Sequence, residues 1–218
     1  MFVCDSGNQL VRKIAGDTVS SFNAAPRPSG IAVDSSGYVY FMDELNNRVF
    51  KQPPEGSAWT FATGSSIDTP KGITIDSTDN ICITDKNRVL KFTPTVEMSV
   101  VAGSGMSGFI NAVGESARFS TPWGLTIGSD GGLYVANADN NCIRRVNLTT
   151  YAGICQTSGT IDGLISNATF ENPVDIAAAA DSVFYVVDGR TTAAKDLHRL
   201  GFSETRMEKL GNPTMKLE

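Results

Sequence analysis

One segment recurs along this chain, and the recurrence constrains the fold more than any composition value. Its copies are "PSGIAVDSSGYVYFMDELNNRVF" from Pro28, "PKGITIDSTDNICITDKNRVLKF" from Pro70, "PWGLTIGSDGGLYVANADNNCIRRV" from Pro122 and a degraded "PVDIAAAADSVFYVVDGR" from Pro173. The four prolines are 42, 52 and 51 residues apart. A partial copy, "FVCDSGNQLVRKIAG", opens the chain and matches the second half of a unit. Each unit begins with a short apolar run, "GIAV", "GITI" or "GLTI", and a Gly- or Asp-rich turn follows. Next comes a β-branched and aromatic run such as "YVYFMD", an Asn-containing turn, a third run such as "NRVFK", and a fourth ending in "FATG", "VVAG" or "YAG". These runs lack helical spacing and carry strand-forming residues.

Four antiparallel strands in each 40–50-residue unit are the pattern of a β-propeller blade. A four-stranded sheet can bury both faces only by stacking between neighbours, which accounts for second strands that are apolar on both sides. The expected fold is therefore all-β: one propeller over residues 1–218, with four-stranded antiparallel blades. It has a partial blade over 1–25 and blades over about 26–67, 68–108, 109–160 and 161–218, the last divergent. The stretch "TTAAKDLHRLGFSETRMEKL" reads as weak strand or partial helix, and "GNPTMKLE" as a candidate innermost strand pairing beside residues 1–15.

The pattern Pro-x-Gly-apolar-x-apolar-Asp, Gly turn, Tyr-Val-x-x-Asp, x-x-Asn-x-x-apolar resembles the NHL-repeat family of β-propellers, in particular its secreted, disulfide-containing members. The resemblance covers about residues 1–190; it is sharp at Pro28 and Pro122, looser at Pro70 and poor after Arg190. The links "AGSGMSGFINAVGESARFSTP" and "AGICQTSGTIDGLISNATFENP" resemble each other and the long blade-to-blade link of one NHL subgroup. The family usually closes with six blades. About five are counted here, so either five blades close or the chain is an incomplete six-bladed propeller. Met1 falls inside a strand, which favours an incomplete chain.

Asp5, Asp43, Asp85, Asn137 and Asp188 end the second strand of successive units. A ring of carboxylates could hold a metal, but strand-end Asp and Asn also accept backbone N–H bonds from a following turn. Asn8, Asn46 and Asn140, three residues on, favour turn chemistry, and no metal site is assigned. Arg12, Arg48, Arg88, Arg144 and Arg145 lie on third strands and can pair with those acids or with neighbouring blades. Trp123 starts an innermost strand near the channel, where inter-blade packing is the first expectation and a ligand-facing aromatic the second, so it is a weak channel candidate. So are Asp175, which replaces the repeat glycine, and nearby Asn172. Trp59 is expected to pack near an outer edge, and Phe109 to anchor or cap from a Gly-rich link.

"CIRRVN" and "TYAGIC" read as third and fourth strands. A two-residue turn at Leu148–Thr149 places Asn147 opposite Thr150 and Cys142 opposite Cys155, at a Cα spacing of roughly 4.5–5.5 Å that suits a disulfide. No Cys-x-x-Cys exists, and the single histidine, His198, is in another unit, so a zinc site is unsupported. Cys4 and Cys82 read as small buried apolar residues. Asn147-Leu148-Thr149 and Asn167-Ala168-Thr169 are N-glycosylation sequons in expected loops. Disulfide and sequons together place the chain outside the cell or at its surface, with a signal sequence upstream of this segment.

A net charge of −5 gives a polyanion little to bind, so no nucleic acid is expected as partner. No apolar window long enough for direct membrane insertion exists. The function expected is a non-enzymatic recognition or assembly platform in a larger glycoprotein. Its expected partners are proteins, copies of itself, other domains of its own chain, and N-linked glycans. No cofactor is expected. The resemblance also implies two alternatives: a calcium-dependent lactonase-like hydrolase using the central channel, and an RNA-binding NHL module.

Overall fold

The computed structural model describes residues 1–64, 66–147, 149–179, 183–189, 196–201 and 206–210. The expected strand in "GNPTMKLE" lies outside them. Two compact units divide the chain, Met1–Val100 and Val101–Glu218. In the first, β1 (Phe2–Asp5), β2 (Leu10–Ala15) and β3 (Thr18–Ala24) form a three-stranded sheet. Next come β4 (Pro28–Val33), β5 (Val39–Asp43), β6 (Arg48–Gln52) and β7 (Trp59–Thr63). The third sheet holds β8 (Pro70–Ile75), β9 (Ile81–Asp85), β10 (Arg88–Phe92) and β11 (Met98–Ala102), which runs across the unit boundary. In the second unit, β12 (Pro122–Ile127), β13 (Leu133–Asn137), β14 (Cys142–Arg145) and β15 (Thr150–Ala152) form a four-stranded sheet.

The last sheet has five strands, in the order β16 (Gly163–Leu164), β20 (Arg206–Leu210), β19 (Asp196–Gly201), β18 (Phe184–Asp188) and β17 (Asp175–Ala178). Its outermost strand, β16, comes from the preceding link and pairs antiparallel with β20. The region considered as strand or partial helix is thus two strands, β19 and β20, paired Leu197↔Leu210 through Gly201↔Arg206. The chain is all-β, built of five blades with up-and-down antiparallel connections.

Side-chain alternation explains why the blades stack. Every residue of β5, Val39–Asp43, is buried. Val39 and Phe41 join Val11 and Ala25 in a cluster with the first sheet. Tyr40 and Met42 point the other way and pack with Ile73, Ile81, Ile83 and Leu90 of the third. One strand feeds two cores because its side chains alternate in direction. In the second unit, Tyr134, Ala136 and Ile143 pack against Ile176, Phe184 and Val186 in the same manner.

The repeat glycine is a consequence of this stacking. A Cβ on Gly30 would lie 2.6 Å from Met42 Cε and 2.9 Å from the Lys71 carbonyl oxygen of the next innermost strand. At Gly124 a Cβ would lie 2.1 Å from Asp175 Oδ1. Only glycine lets adjacent innermost strands approach this closely.

Candidate functional site

The repeated acids act as inward hooks. Asp85 accepts the Asp68 backbone N–H, Asn137 Oδ1 the Ser120 N–H at 2.9 Å, and Asp188 the Glu171 N–H at 2.9 Å. Each donor stands two residues before the proline of its own blade. The expected backbone donors in the following turn are therefore corrected: the N–H groups come from the segment entering the innermost strand. The turn contributes side-chain amides instead, Asn8 Nδ2 to Asp5 and Asn46 Nδ2 to Asp43. Asn140 breaks the series and donates to the Gly108 carbonyl in the link. In blade 2 the equivalent donor position is Pro26, which has no N–H. Asp43 is fully buried there, and its Oδ1 has no hydrogen-bond partner.

In blades 2 and 4 the next asparagine ties the blade to its successor. Asn47 and Asn141 both adopt left-handed backbone (φ 53° and 54°). The Asn47 side-chain oxygen accepts the Thr69 N–H, and that of Asn141 accepts the Asn172 N–H, both at 2.8 Å. The repeat's Asn is therefore an inter-blade clasp as well as a turn former.

The arginines separate into two kinds. Arg12 pairs with Asp5 at 3.4 Å, Arg88 with Asp85 at 2.8 Å, and Arg145 with Asp130 at 2.6 Å. Arg48 is exposed. Arg144 differs in being 2% exposed. Its guanidinium donates to the Arg118 and Ile110 carbonyls at 3.3 and 3.2 Å and lies over the rings of Phe109 and Phe119. Burial pulls its pKa down to about 10. Arg144 thus bolts the first link onto β14 instead of meeting a carboxylate. Aligning "NNCIRRV" from Asn140 with "NNRVFKQ" from Asn46 would have placed it at the Phe50 position, an apolar repeat position.

That alignment also locates Cys142 where Arg48 and Arg88 stand. In the ladders Asp43 faces Arg48 and Asp85 faces Arg88, whereas Asn137 faces Cys142. Cys142 is bonded to Cys155, with Cα atoms 5.0 Å apart. The pairing is as expected but the register is not. Ile143 faces Ala152 and Arg144 faces Thr150 across a bulge, and Cys155 lies beyond β15. Four residues, 146–149, connect the strands. Arg145 N–H closes this turn on the Thr149 oxygen, and Asn147 sits at φ 63° with its side-chain oxygen held by Gly114 N–H. The longer turn moves the ladder, so the bridge joins the start of β14 to the turn after β15.

The two links fold alike, as their sequences suggest. Gly108 N–H bonds the Phe119 oxygen, and Gly159 N–H the Phe170 oxygen, both at 3.0 Å; Phe119 and Phe170 are buried. Ile110 and Ile161 stay exposed at matching positions, as do Val113 and Leu164. Between the second link and the disulfide lies an open cleft of about 410 Å³, lined by Phe109, Tyr151, Ile154, Cys155, Ile165 and Ser166 among others. Phe109 is half-buried and lines this cleft above Arg144. Sequence reasoning did not find the cleft, because its walls come from two links and β15.

Of the channel candidates, Trp123 and Asp175 lie on adjacent innermost strands, where Gly124 N–H bonds the Val174 oxygen at 3.1 Å. Trp123 is half-buried in β12, and Asp175 Oδ1 accepts the Ile176 N–H at 2.9 Å. Asn172 Nδ2 donates to Asp139 at 3.2 Å. Among the described residues no three His, Cys, Asp or Glu side chains form a metal-ligand group. Trp59 is 47% exposed and meets Tyr38 edge-on. Cys82 is buried and Cys4 half-buried, and burial pushes both thiols up to about 11. His198 is fully buried, with Nδ1 3.4 Å from Asp162 and Nε2 3.4 Å from Asp188. Of the sequon asparagines, Asn167 is exposed in the turn after β16, and Asn147 is half-buried.

A model of the NHL repeat matches residues 119–146. Teneurin-3 of Danio rerio is 24% identical over 206 residues, covering 74% of this chain and 8% of its own length. Teneurin-4 of Homo sapiens is 24% identical over 205 residues, covering 74% and 7%. The chain spans less than a tenth of the length of these relatives. Among solved structures, a streptogramin B lyase superposes at TM-score 0.65 with 16% identity over 98% of this chain and 65% of its own. A catalytically inactive virginiamycin B lyase from Staphylococcus aureus, with quinupristin, gives 0.61 with 19% identity over 95% and 78%. An auxiliary nutrient binding protein from Bacteroides thetaiotaomicron gives 0.68 with 18% identity over 86% and 56%. At such identities the structures share a fold, the β-propeller built from the blades above, and within it residues 119–146 match the NHL repeat.

Proposed function

We propose that this chain is a non-enzymatic recognition or assembly module of a larger extracellular glycoprotein, a rigid platform for protein–protein contacts. The observation that carries the reading is the Cys142–Cys155 bond at the position where blades 2 and 3 face an Asp with an Arg. A blade that relies on a disulfide belongs in an oxidising compartment. The similarity to teneurins, of which this chain matches a small part, supports a place within a longer cell-surface protein. The two sequons add N-linked glycans at Asn147 and Asn167. The lyase likeness rests on fold alone. In the inactive lyase a histidine has been replaced by alanine. The one histidine of this chain, His198, is buried between two carboxylates, which favours the non-enzymatic reading.

The test is a non-reducing peptide map of protein from its native source. A cross-linked Cys142–Cys155 peptide, with hexose-bearing Asn147 or Asn167, is the expected result. Free thiols on Cys142 and Cys155 together with bare asparagines would return a cytoplasmic role, RNA binding included, to the front.

A further inference from the structure

The cleft beside the disulfide and the second sequon are adjacent. Ser166 lines the cleft, and the next residue, Asn167, is exposed. Its backbone N–H closes the turn on the Leu164 oxygen at 2.8 Å, which fixes where the side chain leaves the surface. Around that point Ile154 and Leu164 are 43% and 52% exposed. An apolar sugar face seated against them would take that surface out of water. Asn167 Oδ1 accepts the Ser166 hydroxyl of its own turn at 3.2 Å, whereas Asn147 is half-buried with its side-chain oxygen held by Gly114 N–H 33 residues away.

We propose that an N-linked glycan on Asn167 folds back into this cleft, so that the cleft is a saccharide site filled in cis. The proposal rests on the extracellular glycoprotein reading above. The first N-acetylglucosamine has an apolar C–H face and an acetamido methyl. The cleft offers the matching chemistry: the Phe109 and Tyr151 rings, the Ile154 and Ile165 side chains, and hydroxyls of Thr150 and Ser166. The rings are held in place. Tyr151 stands edge-on to Tyr134 and Phe184, and Phe109 lies over the buried Arg144 guanidinium. The glycan then shields the approach to Cys155, and protein partners are left to the blade surfaces away from the second link.

The experiment secretes this chain from eukaryotic cells and trims its glycans to a single N-acetylglucosamine. Glycopeptide mass gives the occupancy of Asn167. Hydrogen exchange of residues 150–156 and 163–166 is then compared with enzymatically deglycosylated protein and with Asn167→Gln, and the acetamido methyl is followed by NOE. The expected result is exchange slowed on the order of threefold by the sugar, with NOEs from the methyl to Tyr151 or Ile165. Phe109→Ala should weaken both signals while the glycan remains attached. A bare Asn167 overturns the proposal, and the disulfide in the same map still reports on the compartment. An occupied Asn167 without protection or NOEs overturns the packing alone and leaves the glycoprotein reading standing.

Discussion

Blades 3 and 4 solve one problem with two chemistries. Each must hold its second strand to its third at the end where the chain turns, and each must hook the incoming innermost strand. Blade 3 uses a carboxylate for both tasks: Asp85 accepts the Asp68 N–H and pairs with Arg88. Blade 4 keeps the hook but drops the charge. Asn137 accepts the Ser120 N–H, and the arginine position is a cysteine bonded to Cys155. A neutral Asn137 suits a position with no facing arginine, because a buried carboxylate without a cation is expensive; Asp43, buried while Arg48 is exposed, and Asp188, which faces Asp196, carry that cost in blades 2 and 5. The disulfide then restores the cross-strand connection covalently and anchors the start of the second link, which the ion pair in blade 3 does not do.

The largest effect should come from removing that bond. The Cys142→Ala/Cys155→Ala pair frees a loop of 13-residue separation, and unfolding in urea should show a loss of about 3 kcal/mol. The wild type under reducing conditions should lose a similar amount. A change below about 1 kcal/mol would mean that Asn137 and its neighbours hold the blade without the bridge, and the proposed equivalence of pair and bridge would fail.

Reciprocal charge swaps give the next effect. Burial raises the Asp85 pKa above its ordinary 3.8, although the Asp68 N–H and Arg88 oppose the shift. The folded state therefore holds this proton more tightly than the unfolded chain does. Its contribution to stability is greatest below about 3.8 and declines as pH rises through the folded value. Asp85→Asn should remove this decline from urea midpoints measured between about pH 3 and pH 8. Asn137→Asp should introduce a steeper one, with a cost of roughly 2 kcal/mol at neutral pH, because no arginine faces the new carboxylate. Equal pH profiles for wild type and both variants would show that charge at this position does not matter.

How much of this was legible in the sequence depends on the range of the interaction. Strand identity in "YVYFMD" or "ICITD" is local and could be read directly. The cysteine partnership could be read too, because its alternatives lacked ligands. The register could not: it depends on the length of the turn at 146–149 and on a bulge at Ile143, which the tie from Asn147 to Gly114 helps to fix across 33 residues. Arg144 next to Arg145 looks like a charged surface pair, but only Arg145 is one. β16 was hidden in a link because two residues carry no periodicity. The hook donors were missed for a similar reason. They are backbone N–H groups, which every residue except proline possesses, so only a proline in that place leaves a trace.

Pro26 is that trace, and it allows the finest test. Blade 2 keeps the carboxylate of blade 3 but lacks the donor, which leaves Asp43 Oδ1 buried and unbonded while Asn46 Nδ2 satisfies Oδ2 at 2.6 Å. Pro26→Ala supplies an N–H at the position occupied by Asp68 and Ser120 in the following blades. A hydrogen bond to a charged acceptor contributes about 1.5–3 kcal/mol. Loss of the proline's restriction on the unfolded chain offsets about 0.4–1 kcal/mol of it. A net gain of about 1 kcal/mol is expected, with Pro26→Ala/Asp43→Asn as the control: an Asn side chain has one acceptor oxygen, already the arrangement at Asn137, so the gain should persist in reduced form. If Pro26→Ala instead loses stability in both backgrounds, the proline sets the path of the chain into β4, and blade 2 differs from blades 3 and 4 in backbone course and not merely in a missing donor.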